Sequence, residues 1–206
     1  MRSIKHFIEQ SWLLVVAAFF FGLLIAMTNA ALQERIQWNQ NAKFNRLAKG
    51  LLPEADAFTA IEQEIPIEAI DGKTQNLAVY KAMAGDETVG WAFNAKGSGF
   101  SGYVEIVVAV DTRFEKIAGF DVLASSETPG IGDAIEDPNG YRSQFEGAPA
   151  TELTLVSTGD TSAIDAQIVT VSGATYSSTA VVTGINHYLP QVKTQLQERG
   201  LIANDN

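Results

Sequence analysis

Hydrophobic spacing changes repeatedly along the chain, and each change marks an element. From Ser11 to Leu32 every position is uncharged and most are apolar, SWLLVVAAFFFGLLIAMTNAAL. One helix through the hydrocarbon core of a bilayer takes about 20 such residues, so this run predicts a transmembrane helix. From Gln33 to Lys49 good helix formers continue, with apolar residues at Ile36, Phe44, Leu47 and Ala48. Gly50 and Pro53 then supply stop signals, which predicts a stalk helix. Between Pro53 and Gln75 the pattern is mixed and acidic and predicts no element.

From Leu77 the period becomes two. LAVYKAM, VGWAFNA, YVEIVVAVD and KIAGFDVLA are β-branched and aromatic runs separated by turn residues at Ala84–Glu87, Lys96–Gly102 and Thr112–Glu115. They predict four strands of an antiparallel meander, with Trp91, Phe93 and Phe120 in its core. A loop dense in turn formers and acids, SSETPGIGDAIEDPNG, follows from Ser125 to Gly140. A short helix at Tyr141–Phe145 and strands at Glu152–Val156 and Gln167–Val171 lead to the last element. There Val181, Ile185, Tyr188, Leu189, Val192 and Leu196 form one apolar stripe at helical spacing. Pro190 interrupts that helix and predicts a kink or break. The class is α+β: a transmembrane helix (1–32), a stalk and connecting segment (33–74), and a domain of antiparallel sheet flanked by helices (75–206).

Charge adds a direction. Arg2 and Lys5 precede the apolar run, so the positive-inside rule puts the N-terminus in the cytoplasm and the body outside it. Thr28-Asn29-Ala30 leaves open a cleaved signal peptide, which also delivers the body outside the cytoplasm. With 14 Lys+Arg against 24 Asp+Glu, a net charge of −10 and no basic cluster, nucleic acid is not an expected partner. The absence of cysteine excludes disulfides, thiol nucleophiles and cysteine-ligated clusters. The two histidines, His6 and His187, are too far apart in sequence to suggest a metal site, and His187 is expected in a surface or packing role.

Two stretches remain as candidates for chemistry. Lys96-Gly97-Ser98-Gly99 lacks the Lys-Ser/Thr of a phosphate-binding loop and precedes a strand, so it is expected to connect strands. VSGATYSSTAV, from Val171 to Val181, ends a strand and opens a helix. Backbone amides and the positive end of the helix dipole meet hydroxyls of Ser172, Thr175, Ser177 and Ser178 there, a geometry that suits phosphate. Equally, Ser172 or Thr175 is placed to N-cap the helix while Gly173 turns the chain.

SGATYS at Ser172–Ser177 resembles the flavinylation motif of the FMN-binding domain family, a [S/T]-G-A-T-x-[S/T] pattern. SETPGIGD at Ser126–Asp133 resembles the family's E-T-P-G-[LI]-G segment, and GFSG at Gly99–Gly102 its G-[YF]-S-G. The order and spacing of the motifs agree with the family. The resemblance implies that Thr175 carries FMN through a phosphoester, attached by a flavin transferase from FAD. It also implies that Glu127, Thr128, Gly130, Ser172, Gly173, Ala174, Ser177 and Ser178 surround the cofactor. One departure stands out: many members have an acid three positions before the motif, where this chain has Val169, and the nearest acid is Asp165.

As function, the resemblance implies an electron carrier with no turnover site of its own. It would act in an Rnf-type ion-translocating complex of the bacterial inner membrane that links ferredoxin and NAD, with the other subunits as partners. A membrane-anchored assembly module without flavin and a stand-alone extracytoplasmic flavin reductase are the alternatives.

Overall fold

The computed structural model describes residues 2–203. Side chains of residues 2–10, 34 and 37 lie outside the described set, and with them Arg2 and Lys5 of the topology argument and His6 of the metal-site argument. The chain divides into two compact units, Met1–Lys43 and Phe44–Asn206.

In the first unit, helix α1 (Arg2–Leu51) contains Ser11–Gln33, a 23-residue stretch of mean hydropathy 2.3 that is long and apolar enough to cross a membrane. Its large side chains, among them Trp12, Phe19, Phe20 and Leu24, are exposed rather than packed on protein. The stalk and the span are thus one continuous helix, and the last turns of α1 belong to the second unit.

The second unit begins ahead of the boundary expected at residue 75. Its sheet takes in β1 (Ala57–Ala60), then β4 (Val79–Ala84), β5 (Glu87–Ser98), β6 (Tyr103–Val110) and β7 (Ile117–Ser125), hydrogen-bonded in the order β1-β4-β5-β6-β7, all antiparallel. Between β1 and β4 lies a hairpin of β2 (Ile65–Glu68) and β3 (Thr74–Leu77). The predicted meander is present, and β5 runs on through Gly97 to Ser98, paired with Tyr103. The glycine-rich connector is accordingly only Gly99–Gly102.

β6 is apolar along most of its length because both sheet faces are covered. On one face Val104, Ile106, Val108 and Val110 join Trp91, Phe93 and Phe120 in the main core. On the other, Val107 and Ala92 pack under Phe44 and Ala48 of α1. Beyond β7, 3-10 turns at Gly132–Glu136 and Arg142–Phe145 lead to a parallel pair, β8 (Thr154–Val156) and β9 (Gln167–Val169). Arg142 fastens this segment to the sheet edge, donating from Nε to the Phe120 carbonyl (3.0 Å) and from Nη2 to Asp121 (2.8 Å).

Helix α2 (Thr175–Glu198) closes the main core with the predicted stripe, all six residues buried. Of the kink or break expected at Pro190, the break does not occur. The helix stays one element because its neighbours hold it: Asn186 bonds both the N–H and the carbonyl of Leu153 (2.8 Å each), and Leu189 and Val192 are buried. His187 has the packing role expected of it, with Nε2 2.7 Å from the Glu68 carbonyl.

Candidate functional site

The turn from β9 into α2 is made by Gly173, whose φ of +81° is one that side chains rarely adopt. Ala174 donates its N–H back to the Val171 carbonyl at 3.0 Å. This puts Ala174 at the N-cap, where it has no hydroxyl to offer, and no side-chain cap forms. The expected capping by Ser172 or Thr175 is therefore not seen. Instead both residues are exposed at the start of a 24-residue helix whose first amides lack a side-chain partner.

Within the first turn of α2, two serines face inward. Ser178 is fully buried: its Oγ accepts from the Val171 N–H (3.1 Å) and its carbonyl accepts from the Tyr141 hydroxyl (2.9 Å). Ser177 donates its hydroxyl to Glu127 Oε2 at 2.5 Å. The other carboxylate oxygen of Glu127 accepts from the Ser101 N–H at 3.0 Å.

Three segments therefore converge on one carboxylate: Gly99–Gly102, Ser126–Gly132 and the first turn of α2. Two glycines make the room. A Cβ on Gly99 would sit 2.5 Å from Glu127 Oε1, and one on Gly132 would sit 2.5 Å from Glu127 Cβ and 2.9 Å from Ser177 Oγ. The Thr128 carbonyl folds the loop by accepting from the N–H groups of Ile131 (3.1 Å) and Gly132 (3.0 Å), and Asp133 accepts from Gly130 N–H (2.8 Å). Thr128 and Gly130 are left exposed beside the turn.

An apolar patch completes the arrangement. Phe100 (73% exposed) and Tyr176 (67%) lie with ring centroids 5.7 Å apart, and Ile131 (55%) adjoins Gly132. Exposed rings beside the amide-rich start of a helix suit a ligand with a flat apolar body and an anionic end, which is the make-up of a flavin nucleotide. Sequence reading placed Glu127 at the cofactor; its carboxylate is engaged by Ser177 and Ser101. It missed the Ser101 amide and the two rings, although GFSG and the tyrosine inside the acceptor motif were in view. Val169, where an acid was expected, sits on β9 with both its backbone groups held by Gln144 (2.8 and 3.2 Å). Among the described residues no cluster suits a metal ion. A cavity of about 520 Å³, lined by Ile61, Lys81, Met83 and Leu201 among others, shares no residue with this site.

Tyr141 gives the site's underside a pH dependence. Burial pushes its phenol well above the ordinary tyrosine value, outweighing the bond to Ser178. Unfolded tyrosine ionises near pH ~10, so the buried neutral phenol contributes fully below that pH and its contribution is lost as pH rises above it. The urea midpoint is expected to fall above pH ~10, and less steeply in Tyr141→Phe. Equal slopes would show that Tyr141 is not responsible.

An antiparallel sheet, one long helix across it and an exposed threonine at that helix's uncapped start define a small α+β domain suited to presenting a cofactor at its surface. Residues 99–190 match the FMN-binding domain. Over that stretch the chain is similar to the FMN-binding domain family. It is similar to the G subunit of the ion-translocating oxidoreductase complex of Methanosarcina acetivorans, 27% identical over 196 residues, covering 95% of this chain and 99% of the relative. It is also similar to the G subunit of the proton-translocating ferredoxin:NAD(+) oxidoreductase complex of Clostridium ljungdahlii, 28% identical, covering 88% and 89%. The crystal structure of the C subunit of Na(+)-translocating NADH-quinone reductase from Parabacteroides distasonis shares the fold, with a TM-score of 0.55 at 18% identity over 84% of this chain and 98% of that one.

Proposed function

We propose that this chain is the flavin-bearing electron-carrier subunit of an ion-translocating ferredoxin:NAD oxidoreductase complex of the Rnf type, with FMN joined to Thr175. The observation that supports it most is the meeting of the two motifs at the Glu127–Ser177 hydrogen bond, beside an exposed Thr175 and an uncapped helix start. Relatives named as the G subunit of such complexes, matched along nearly their whole length, support the assignment to the complex.

The attachment is a group transfer without redox change. Thr175 Oγ1 bonds to the phosphorus of the FMN half of FAD, the bond from that phosphorus to the bridging oxygen breaks, AMP leaves, and the threonine proton passes to solvent. A flavin transferase is the partner for this step. Once attached, FMN supplies one- and two-electron transfer. The chain's own residues would hold and present it: the start of α2 would meet the phosphoester charge, and Phe100, Tyr176 and Ile131 would offer apolar surface to the ring. A covalent link removes the dissociation equilibrium, which keeps the carrier loaded outside the cytoplasm. Ser11–Gln33 anchors the domain to the membrane with the body on the extracytoplasmic side, within reach of the complex's other redox subunits.

Intact mass of the denatured protein, made with an active flavin transferase, tests this. The expected result is a gain equal to FMN less water, with reversible bleaching of the flavin absorbance on reduction. An unmodified protein, alongside a modified control substrate, rules out covalent attachment.

A further inference from the structure

We infer that Glu127 and Ser177 form a positioning pair that holds the Thr175 turn in the shape a flavin transferase accepts, with Glu127 acting through Ser177 and Ser101 rather than by touching the flavin. This rests on the proposed attachment at Thr175.

Three observations carry it. Both oxygens of the Glu127 carboxylate are already engaged, one by the Ser177 hydroxyl (2.5 Å) and one by the Ser101 amide (3.0 Å). Glycines at residues 99 and 132 leave room for that carboxylate where it stands, since a Cβ at either would come to 2.5 Å from a Glu127 atom. Ser177, 2% exposed, faces inward two residues after exposed Thr175. A hydroxyl at this last position of the SGATYS motif thus acts in the protein's interior: it ties the acceptor turn to the Ser126–Gly132 loop. A charged acceptor makes that tie stronger than a neutral one.

The bond fixes where the first turn of α2 begins, and so where Thr175 Oγ1 stands. Displacement of a reacting atom by about 1 Å costs about 100-fold in rate in positioned chemistry, so small slippage of this turn is enough to matter. Glutamine at position 127 keeps both links: its carbonyl accepts from Ser101, and its amide donates to a Ser177 hydroxyl that now accepts. Alanine keeps neither.

The test is the rate of FMN incorporation into the full-length chain, purified from cells lacking flavin transferase and then treated with purified transferase and FAD. Wild type, Glu127→Ala, Glu127→Gln, Ser177→Ala and the Glu127→Ala/Ser177→Ala double variant are compared well below their melting temperatures. The expected result is a fall of about 10- to 100-fold in kcat/KM for both alanine variants, carried by kcat as misplacement requires. The double variant is expected to be no slower than the worse single, because one interaction is lost in all three. Glu127→Gln is expected within about 3-fold of wild type, since its hydrogen bonds survive.

Wild-type rates in the alanine variants, with only the urea midpoint lowered, would reduce the pair to fold stability and overturn the inference while leaving Thr175 as acceptor. Multiplying effects in the double variant would show that the two residues act separately, and would overturn the pair. A wild-type chain that takes no FMN overturns the attachment itself.

Discussion

Thr175→Ala, made alongside an active flavin transferase, is expected to lose the whole FMN mass gain and yield a colourless protein. The effect is all or none because the ester oxygen itself is deleted, and no neighbouring hydroxyl stands in the same place. Ser177 and Ser178 are buried and hydrogen-bonded inward, and Thr179 donates its hydroxyl to the Thr175 carbonyl at 2.8 Å. Thr175 is exposed and has no capping role, so the stability cost of the change is expected to stay within about 0.5 kcal/mol. Thr175→Ser keeps the nucleophilic oxygen and is expected to be modified. Full incorporation in Thr175→Ala would move the attachment point elsewhere, with Ser172 next on the exposed turn.

Gly97→Ala is expected to destabilise the domain by about 3 kcal/mol or more, at the upper end of what overpacking costs. A Cβ at that position would lie 1.8 Å from the Ala180 carbonyl oxygen and 2.4 Å from its carbon. These are backbone atoms of α2, so no change of rotamer clears them and the helix itself must shift. Gly184 on α2 faces the same strand, its virtual Cβ 3.3 Å from the Lys96 carbonyl carbon, which shows how closely helix and β5 approach. Movement of α2 also carries the Thr175 turn away from Glu127, so flavin incorporation is expected to fall together with the urea midpoint. Gly50→Ala is the control: it lies in α1 with no atom within 4 Å of the added carbon, and is expected to change stability by less than about 1 kcal/mol. Equal losses in the two variants would refute the close-approach argument.

What the residue pattern made legible follows from how local each signal is. The meander was readable because β4 to β7 are consecutive runs separated by turns, and the α2 stripe because its six apolar residues all face one core. β1 and β2 were not, because four-residue strands carry too few alternations to register; β1 is mostly exposed and β2 contains Pro66. The end of β5 was hidden by Gly97, a residue that usually weakens strands but here admits a helix. Pro190 does not break α2, since the helix is packed on both sides of it by buried Leu189 and Val192. At the site, the motif residues were found by likeness to a family, whereas the Glu127–Ser177 bond joins positions 50 apart and leaves no periodic trace.

That separation also sets an order of events in the life of the chain. Glu127 follows the last strand of the sheet, while Ser177 lies in the final helix, whose buried stripe extends to Leu196. The surroundings of Thr175 do not exist until synthesis has passed Leu196 and α2 has closed over the sheet. A newly made chain still in an extended state offers the acceptor hydroxyl without its setting. On the attachment proposed above, cofactor loading would belong to the end of maturation, and a flavin on Thr175 would be a certificate that the domain has finished folding.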